Sequence, residues 1–484
     1  AGGDGSDATI AFTDCQIKDL VHYWACISPS SSFQELSHHT GVEQAIFLRR
    51  KIFELTITNF YRVSGIRNSE IFQLKINHLG ETHLNTFFKL KYYVNRTKTI
   101  NGKPLFDYII PDISDVHRCP IVTLAICMSC LIHPVHVNLP ERERFSQELQ
   151  QARMRGQGQN ESGFNVESYV NENVSISLFG LFWDVVRETV SSKQTKHETP
   201  NPKTINLFLK NAMQESLGID GEHQFHGKYS VHSFRKSMHS LLCAFGLKDD
   251  AEWRGGWHFG DNNIHMTYNQ SHHTMNGEHK AAAVLAGNYP DTREQHPMYE
   301  YILWHFKKYP QIQEKVLTLV PINVQNCVGK DTSILLAMSL VVGYAHWNPK
   351  TKHMFPCFYD GDNDVKLIWN QCDIYHGSNY PSQFVWSDST IMKLVENVQK
   401  IPFHKQSLHV GGSFSDARTY GDFTVWKINE QDGSVRDRFD NNAPSFIEPI
   451  VVENNYNTIE TTPVVCHNNK QKKKRGIFTR SNEV

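Results

Sequence analysis

Residues 230–246, SVHSFRKSMHSLLCAFG, carry the pattern that decides the fold. Apolar residues recur there every three or four positions, which predicts an amphipathic helix, and Gly246 supplies a stop signal. His232 and Arg235 are three positions apart and therefore share one face of that helix. A histidine and a guanidinium on one face can hold an anion. Because such a pair is common by chance, its meaning depends on the rest of the chain.

Two other segments contain residues that suit the same chemistry. In VSGIRNSEIFQL, Arg67 follows the expected end of a helix and opens the next one, with Glu70 as an acidic companion. In GGWHFGDNNIHMTY, a glycine turn precedes Trp257, His258 and Tyr268. Both segments therefore place polar or aromatic groups beside helix ends, where they can face a ligand.

Taken together, these residue types suit displacement at a phosphodiester. Two arginines offer forked donors that match phosphate oxygens and stabilise the charge that develops on them. Lys98, in an expected hairpin, can protonate a leaving alkoxide, and Tyr268 can attack phosphorus after losing its proton to a base such as His232. Hairpin register cannot be fixed from sequence, so other lysines remain alternatives as the acid. These are Lys89, Lys91 and Lys103.

The order of these motifs resembles that of the tyrosine recombinases. SGIRNSEIFQL is similar to the family's first-arginine motif with Arg67 in the arginine place, and VHSFRKSMHSLLCAFG is similar to its His-x-x-Arg helix. The Gly-Gly-Trp segment fits the Gly-x-His/Trp place with Trp257, and Tyr268 falls on the nucleophile. The Gly-x-Trp form looks like that of the Crypton-type eukaryotic recombinases of mobile elements. The resemblance covers about residues 42–280.

This resemblance implies both a fold and a reaction. The fold would be mainly α with a small antiparallel β-sheet, a tyrosine-recombinase-like catalytic domain followed by a second, mixed α/β DNA-binding domain. The reaction would be cutting and rejoining of double-stranded DNA through a phosphotyrosine intermediate, without metal or other cofactor. The expected partners are double-stranded DNA, further copies of the chain in a dimer or tetramer, and other nuclear proteins. The implied catalytic residues are Arg67, Lys98, His232, Arg235, Trp257 and Tyr268.

Composition and resemblance divide the chain into four parts. Residues 1–41 are predicted to be a remnant of an N-terminal region or a linker, and residues 42–288 the recombinase-like domain. Residues 289–405 resemble the domain that follows the recombinase-like fold in the DNA-binding subunit of the budding-yeast centromere-binding complex. Because that subunit resembles a recombinase without its catalytic residues, an inactive DNA-binding scaffold is the alternative function. Residues 406–484 are predicted to be a polar, partly disordered tail.

Periodicity predicts helices over much of the chain. Aromatic and β-branched residues around Asn101 and Gly102 predict a β-hairpin within residues 84–111. Residues 1–40 are polar and mixed, and no element is predicted there. The predicted helices span residues 42–63, 119–133, 176–190, 203–217, 230–246, 249–253, 297–320 and 331–346.

Charge and hydropathy limit the classes of function. The 484 residues include 49 Lys and Arg against 50 Asp and Glu, a net charge of −1. A uniformly basic nucleic-acid coat is thereby excluded, whereas DNA binding through one basic face is not. No run of 18 apolar residues occurs, so no membrane partner is expected. Residues 470–475, KQKKKR, fit a nuclear localisation signal or a DNA-binding patch as well as a solvated tail.

A zinc-dependent nuclease or binding module is the alternative from a different class. Cys127 and Cys130 form a lone CxxC within an apolar run, and no second pair completes a zinc site, so both are predicted to be buried helix cysteines. No metal motif organises the clustered histidines either, which favours loop or phosphate-facing positions. These histidines are His258, His265, His272 and His273.

Overall fold

The computed structural model describes sixteen ranges of the chain, all within residues 1–450, which form one compact unit. No helix in the described ranges is long and apolar enough to cross a membrane. The ranges are 9–25, 41–84, 88–95, 104–112, 114–131, 177–186, 202–218, 222–223, 227–255, 275–287, 296–349, 351–352, 355–359, 381–401, 426–428 and 435–437.

The described part is mostly helical with a small antiparallel sheet. The helices are α1 (Asp14–Ala25), α2 (Gly41–Ser64), α3 (Asn68–Ile71), α4 (Pro120–Leu131), α5 (Leu178–Val186), α6 (Pro202–Leu217), α7 (Val231–Ala244), α8 (Lys248–Gly255), α9 (Met275–Leu285), α10 (Pro297–Lys308), α11 (Pro310–Leu317), α12 (Ile322–Val328), α13 (Lys330–His346), α14 (Pro381–Trp386) and α15 (Ser389–Lys400). The strands are β1 (Leu79–His83), β2 (Lys89–Asn95), β3 (Pro104–Ile109), β4 (Glu222–His223), β5 (Gly227–Lys228), β6 (Trp426–Ile428) and β7 (Val435–Asp437).

Two helices that are apolar all round lie at the centre of the fold. Every residue of α4 is buried, including Cys127 and Cys130, as predicted for them. Helix α13 is buried from Thr332 to Ala345 and packs against α4. Helices of this composition require neighbours on every side, and α2 supplies another neighbour for α4. The amphipathic helices α1, α5 and α7 pack in turn on α2.

The sheet has the strand order β1-β2-β3, and both pairs are antiparallel. The β2–β3 pair confirms the predicted hairpin, with Leu90 opposite Ile109 and Tyr92 opposite Asp107. Strand β1 was not predicted, because its sequence LGETH has neither the alternation nor the β-branched residues of a strand. The hairpin tip, residues 96–103, lies outside the described residues.

Two predictions about helices were wrong. The single helix expected over residues 297–320 is two helices, because Pro310 opens α11 and excludes helical backbone at Tyr309, whose φ and ψ are −128° and 79°. Residues 14–25, for which no element was predicted, form α1, whose apolar residues Leu20 and Trp24 are buried against α2 and α6.

Both predicted domains contribute to the packing. Helix α13, from the second half of the chain, contacts β1 as well as α4. The boundaries proposed at residues 41, 288 and 405 stay predictions, and the described residues after 401 are the two short strands β6 and β7.

Candidate functional site

The candidate site is built around the turn that ends α2. Gly65 follows the last residue of that helix and has a φ of +57°, in the left-handed region that favours glycine. Its amide donates to the Tyr61 carbonyl at 3.1 Å, which closes the helix. The chain continues through Ile66, and α3 begins directly after Arg67. The turn therefore determines where the Arg67 side chain starts.

Glu70 holds Arg67 in place from within α3. The Glu70 carboxylate is fully buried and accepts two hydrogen bonds, from the Arg67 amide at 2.9 Å and from Arg67 Nη1 at 2.8 Å. The Arg67 side chain remains 23% exposed. An acidic residue three positions into a helix start thus both caps the helix and orients the guanidinium.

Arg235 reaches the same turn from α7. Its Nη1 donates to the carbonyl of Gly65 at 3.1 Å, and its Nη2 donates to the carbonyl of Gly255 at the end of α8. The side chain is buried, with 2% of the residue exposed. Arg235 therefore joins three chain segments, and in this arrangement two of its donor groups are occupied by main-chain oxygens.

His232 lies on α7 one turn before Arg235 and is exposed. Partial burial of its ring lowers its pKa, and the positive charges of Arg235, Lys236 and Arg67 lower it further. The two arginines thus act electrostatically on one imidazole, which stays neutral at neutral pH. The structure brings together Arg67, His232 and Arg235 of the predicted set.

The other three predicted catalytic residues, Lys98, Trp257 and Tyr268, lie outside the described residues. The same is true of Lys103 and of the four clustered histidines. Of the alternative lysines, Lys89 is buried, and its ammonium lies 4.4 Å from the centroid of the Tyr108 ring. Burial and the neighbouring Lys91 lower the pKa of Lys89, which makes it a stronger acid than a solvated lysine.

Sequence analysis missed Arg254, which holds the backbone next to the site through hydrogen bonds. Its side chain is fully buried, and it donates through Nη1 to the Val63 carbonyl at 2.7 Å and through Nη2 to the Tyr108 carbonyl at 2.9 Å. Arg254 therefore links the last turn of α2 to β3. Its position directly before Gly255 was the available signal, but a single arginine in a short charged helix does not indicate burial.

Among the described residues, one set of side chains is close enough to hold a metal ion. It consists of His22, Asp115 and His117 and is separate from the cluster around Gly65.

Comparisons with known proteins return no match: no family model, no curated protein and no solved structure is significantly similar to this chain.

Proposed function

We propose that the chain is a double-stranded DNA-binding protein of the tyrosine-recombinase type, which cuts and rejoins DNA through Tyr268. The observation that carries this proposal is that Arg235 donates to the carbonyl of Gly65, two residues before Arg67, while the charges of both arginines lower the pKa of His232. Segments 170 positions apart along the chain meet there, and they are the segments that resemble the family's two arginine motifs.

The proposed reaction is a transesterification at a DNA phosphodiester. The Tyr268 oxygen forms a bond to phosphorus while the bond to the 5′ oxygen breaks, so that a 3′-phosphotyrosyl link and a free 5′-hydroxyl result. His232 accepts the tyrosine proton, a role that suits an imidazole held neutral. Lys98 gives a proton to the 5′ oxygen, with Lys89 as the alternative donor. Because the phosphotyrosyl bond conserves the energy of the original linkage, rejoining requires no nucleotide.

Within this proposal the two arginines have different tasks. Arg67 is partly exposed and is fixed by Glu70, so its guanidinium is ready to bind a phosphate oxygen. Arg235 holds the Gly65 and Gly255 carbonyls and thereby positions Arg67. A direct bond from Arg235 to phosphate requires that DNA binding exchanges at least one of these carbonyls for a phosphate oxygen.

A second candidate function is an inactive DNA-binding scaffold, such as a centromere or kinetochore protein. The observation in its favour is that Arg235 is buried and occupied by carbonyls, which leaves Arg67 and His232 as the accessible groups. A scaffold of this kind would bind DNA through phosphate contacts without cutting it. Under either proposal the protein would act in the nucleus, as a dimer or tetramer on DNA.

Covalent trapping distinguishes the two proposals. The chain is incubated with a mixed-sequence pool of nicked duplexes, in which the released 5′ fragment diffuses away, and denaturing gels then report protein bound covalently to DNA. Recombinase function predicts an adduct that Tyr268→Phe abolishes and the matched control Tyr309→Phe retains. An adduct that persists in Tyr268→Phe contradicts the assigned nucleophile.

Salt-dependent binding without any adduct, weakened by Arg67→Ala, supports the scaffold. The logarithm of the binding constant should then fall with the logarithm of salt concentration by about 0.9 per phosphate neutralised. Absence of duplex binding contradicts both functions.

A further inference from the structure

A cluster of two histidines and one carboxylate connects α1 to the 3-10 turn at Val116–Arg118. His22 Nε2 lies 2.7 Å from Asp115 Oδ2, and His117 Nδ1 lies 3.2 Å from Asp115 Oδ1. One ligand atom from each of the three residues lies within 4.8 Å of the others. The three side chains come from two segments that are distant in sequence, so the fold itself assembles the cluster.

Neighbouring contacts hold these residues in position. Arg118 pairs with Asp14 at 2.8 Å, which fixes the start of α1 against the turn. The His117 carbonyl accepts a hydrogen bond from Asn59 Nδ2 at 2.7 Å, and the His117 ring packs edge-on against Trp347 with 4.6 Å between centroids. The ligand atoms are therefore preorganised by groups that are not themselves ligands, as in natural metal sites.

We propose that His22, Asp115 and His117 bind a divalent zinc ion, which fastens α1 to the core. Two imidazole nitrogens and one carboxylate oxygen are ligands that Zn²⁺ prefers, with a fourth position left for water. Tetrahedral ligands at about 2.1 Å from zinc are separated by about 3.4 Å. His22 and His117 contact different oxygens of Asp115, at 2.7 and 3.2 Å, so zinc binding requires the carboxylate to rotate until one oxygen faces both imidazole nitrogens.

The rings of the two histidines lie close together, with 5.0 Å between their centroids. His117 is buried and presents its Nδ1 to Asp115, so one nitrogen of each ring faces the same carboxylate. The Asp115 carboxylate therefore lies between two imidazole nitrogens, a set of donors that suits Zn²⁺.

The site differs from the sequence-based zinc hypothesis, which concerned His258, His265, His272 and His273. It also does not depend on the proposed DNA chemistry, because none of its ligands belongs to the Gly65 cluster. The effect to expect is on stability: an ion that binds the folded but not the unfolded chain stabilises the folded state in proportion to its occupancy.

The test uses the full chain stripped of metal with a chelator and then titrated with Zn²⁺. His22→Gln is the informative variant, because residue 22 lies half-exposed on a helix and glutamine keeps a donor for Asp115. His239→Ala, which removes a half-buried histidine from α7, is the matched control. Calorimetry gives the stoichiometry and affinity, and thermal unfolding gives the shift in melting temperature with zinc.

Wild type and His239→Ala should each bind one zinc ion with similar affinity. The affinity of His22→Gln for zinc should be at least about 10-fold lower, since a loss of this size already follows when residues around metal ligands are changed. Zinc should raise the melting temperature of the first two proteins more than that of His22→Gln. Equal zinc stoichiometry, affinity and melting-temperature shift in all three proteins would overturn the proposal, as would wild type that binds no zinc. If His22→Gln unfolds during preparation, Asp115→Asn takes its place in the same zinc titration and thermal unfolding. The result expected and the result that would overturn the proposal are then the same.

Discussion

Replacing Gly65 by alanine tests the turn on which the candidate site is built. The φ of +57° at this position is unfavourable for a residue with a Cβ atom, at a cost of about 1–2 kcal/mol. The new Cβ would also lie 2.3 Å from the terminal methyl of Met238, which has to move. Met238 is flexible but buried, so its displacement adds about 1 kcal/mol, the lower end for an overpacked core.

The expected loss of unfolding free energy for Gly65→Ala is therefore about 2–3 kcal/mol. Gly218→Ala is the matched control, because Gly218 has a φ of +65° and nothing within 4 Å of an added Cβ. It should lose about 1–2 kcal/mol, from the backbone alone. Urea unfolding followed by circular dichroism measures both values as shifts of the midpoint at constant slope.

The difference between the two variants isolates the contact with Met238. Equal losses would contradict the expected close packing of Met238 against the Gly65 turn. A larger loss in Gly65→Ala, accompanied by weaker DNA binding, is the result that the proposed site requires.

Three further predictions concern stability, each measured by urea unfolding. Asp388→Ala should lower the free energy of unfolding by about 1–2 kcal/mol. The Asp388 carboxylate accepts hydrogen bonds from the first-turn amides of Thr390 and Ile391 at 2.8 and 3.2 Å and pairs with Lys315 Nζ at 2.6 Å. Asp388→Asn should lower it less. Burial lowers the pKa of His305 from 6.5 to about 4, so the unfolded chain binds more protons between these values. Stability should fall by on the order of 3 kcal/mol as pH drops through that window, and His305→Gln should remove the fall. The buried Leu124→Ala should lower the free energy of unfolding by about 2–5 kcal/mol, and the exposed Leu207→Ala by about 0.5 kcal/mol or less. Similar losses in the two variants would contradict the assignment of α4 to the core.

Helices with strong apolar periodicity could be predicted from the sequence, since apolar residues that recur every three or four positions lie on the face that is buried. Helices α2, α4, α7 and α13 were predicted within a few residues of their observed ends. Helix α1 also has an apolar face, but it was not predicted because the surrounding residues of the segment 1–40 are polar and mixed. The break at Pro310 was missed because apolar residues continue on both sides of it, although proline restricts the residue before it.

For the candidate site, the sequence identified some of the residues but not their contacts. Arg67 and Arg235 could be singled out because each lies beside a helix end in a recognisable motif. The burial of Arg235 and its bonds to the Gly65 and Gly255 carbonyls could not be predicted, because they depend on how α2, α7 and α8 meet in space. The same holds for Arg254, whose partners lie in β3 and α2.

The central claim is that Arg67 and His232 belong to one site at a DNA phosphodiester, and a double-mutant cycle on duplex binding tests it most directly. Binding of a mixed-sequence duplex is measured at about 0.15 M salt for Arg67→Ala, His232→Ala and the double variant. We expect that the two losses are not additive, with a coupling of about 0.5–3 kcal/mol. The control pair Arg67→Ala with Lys393→Ala, an exposed lysine of α15, should be additive. Additive losses for Arg67 and His232 would contradict a shared site.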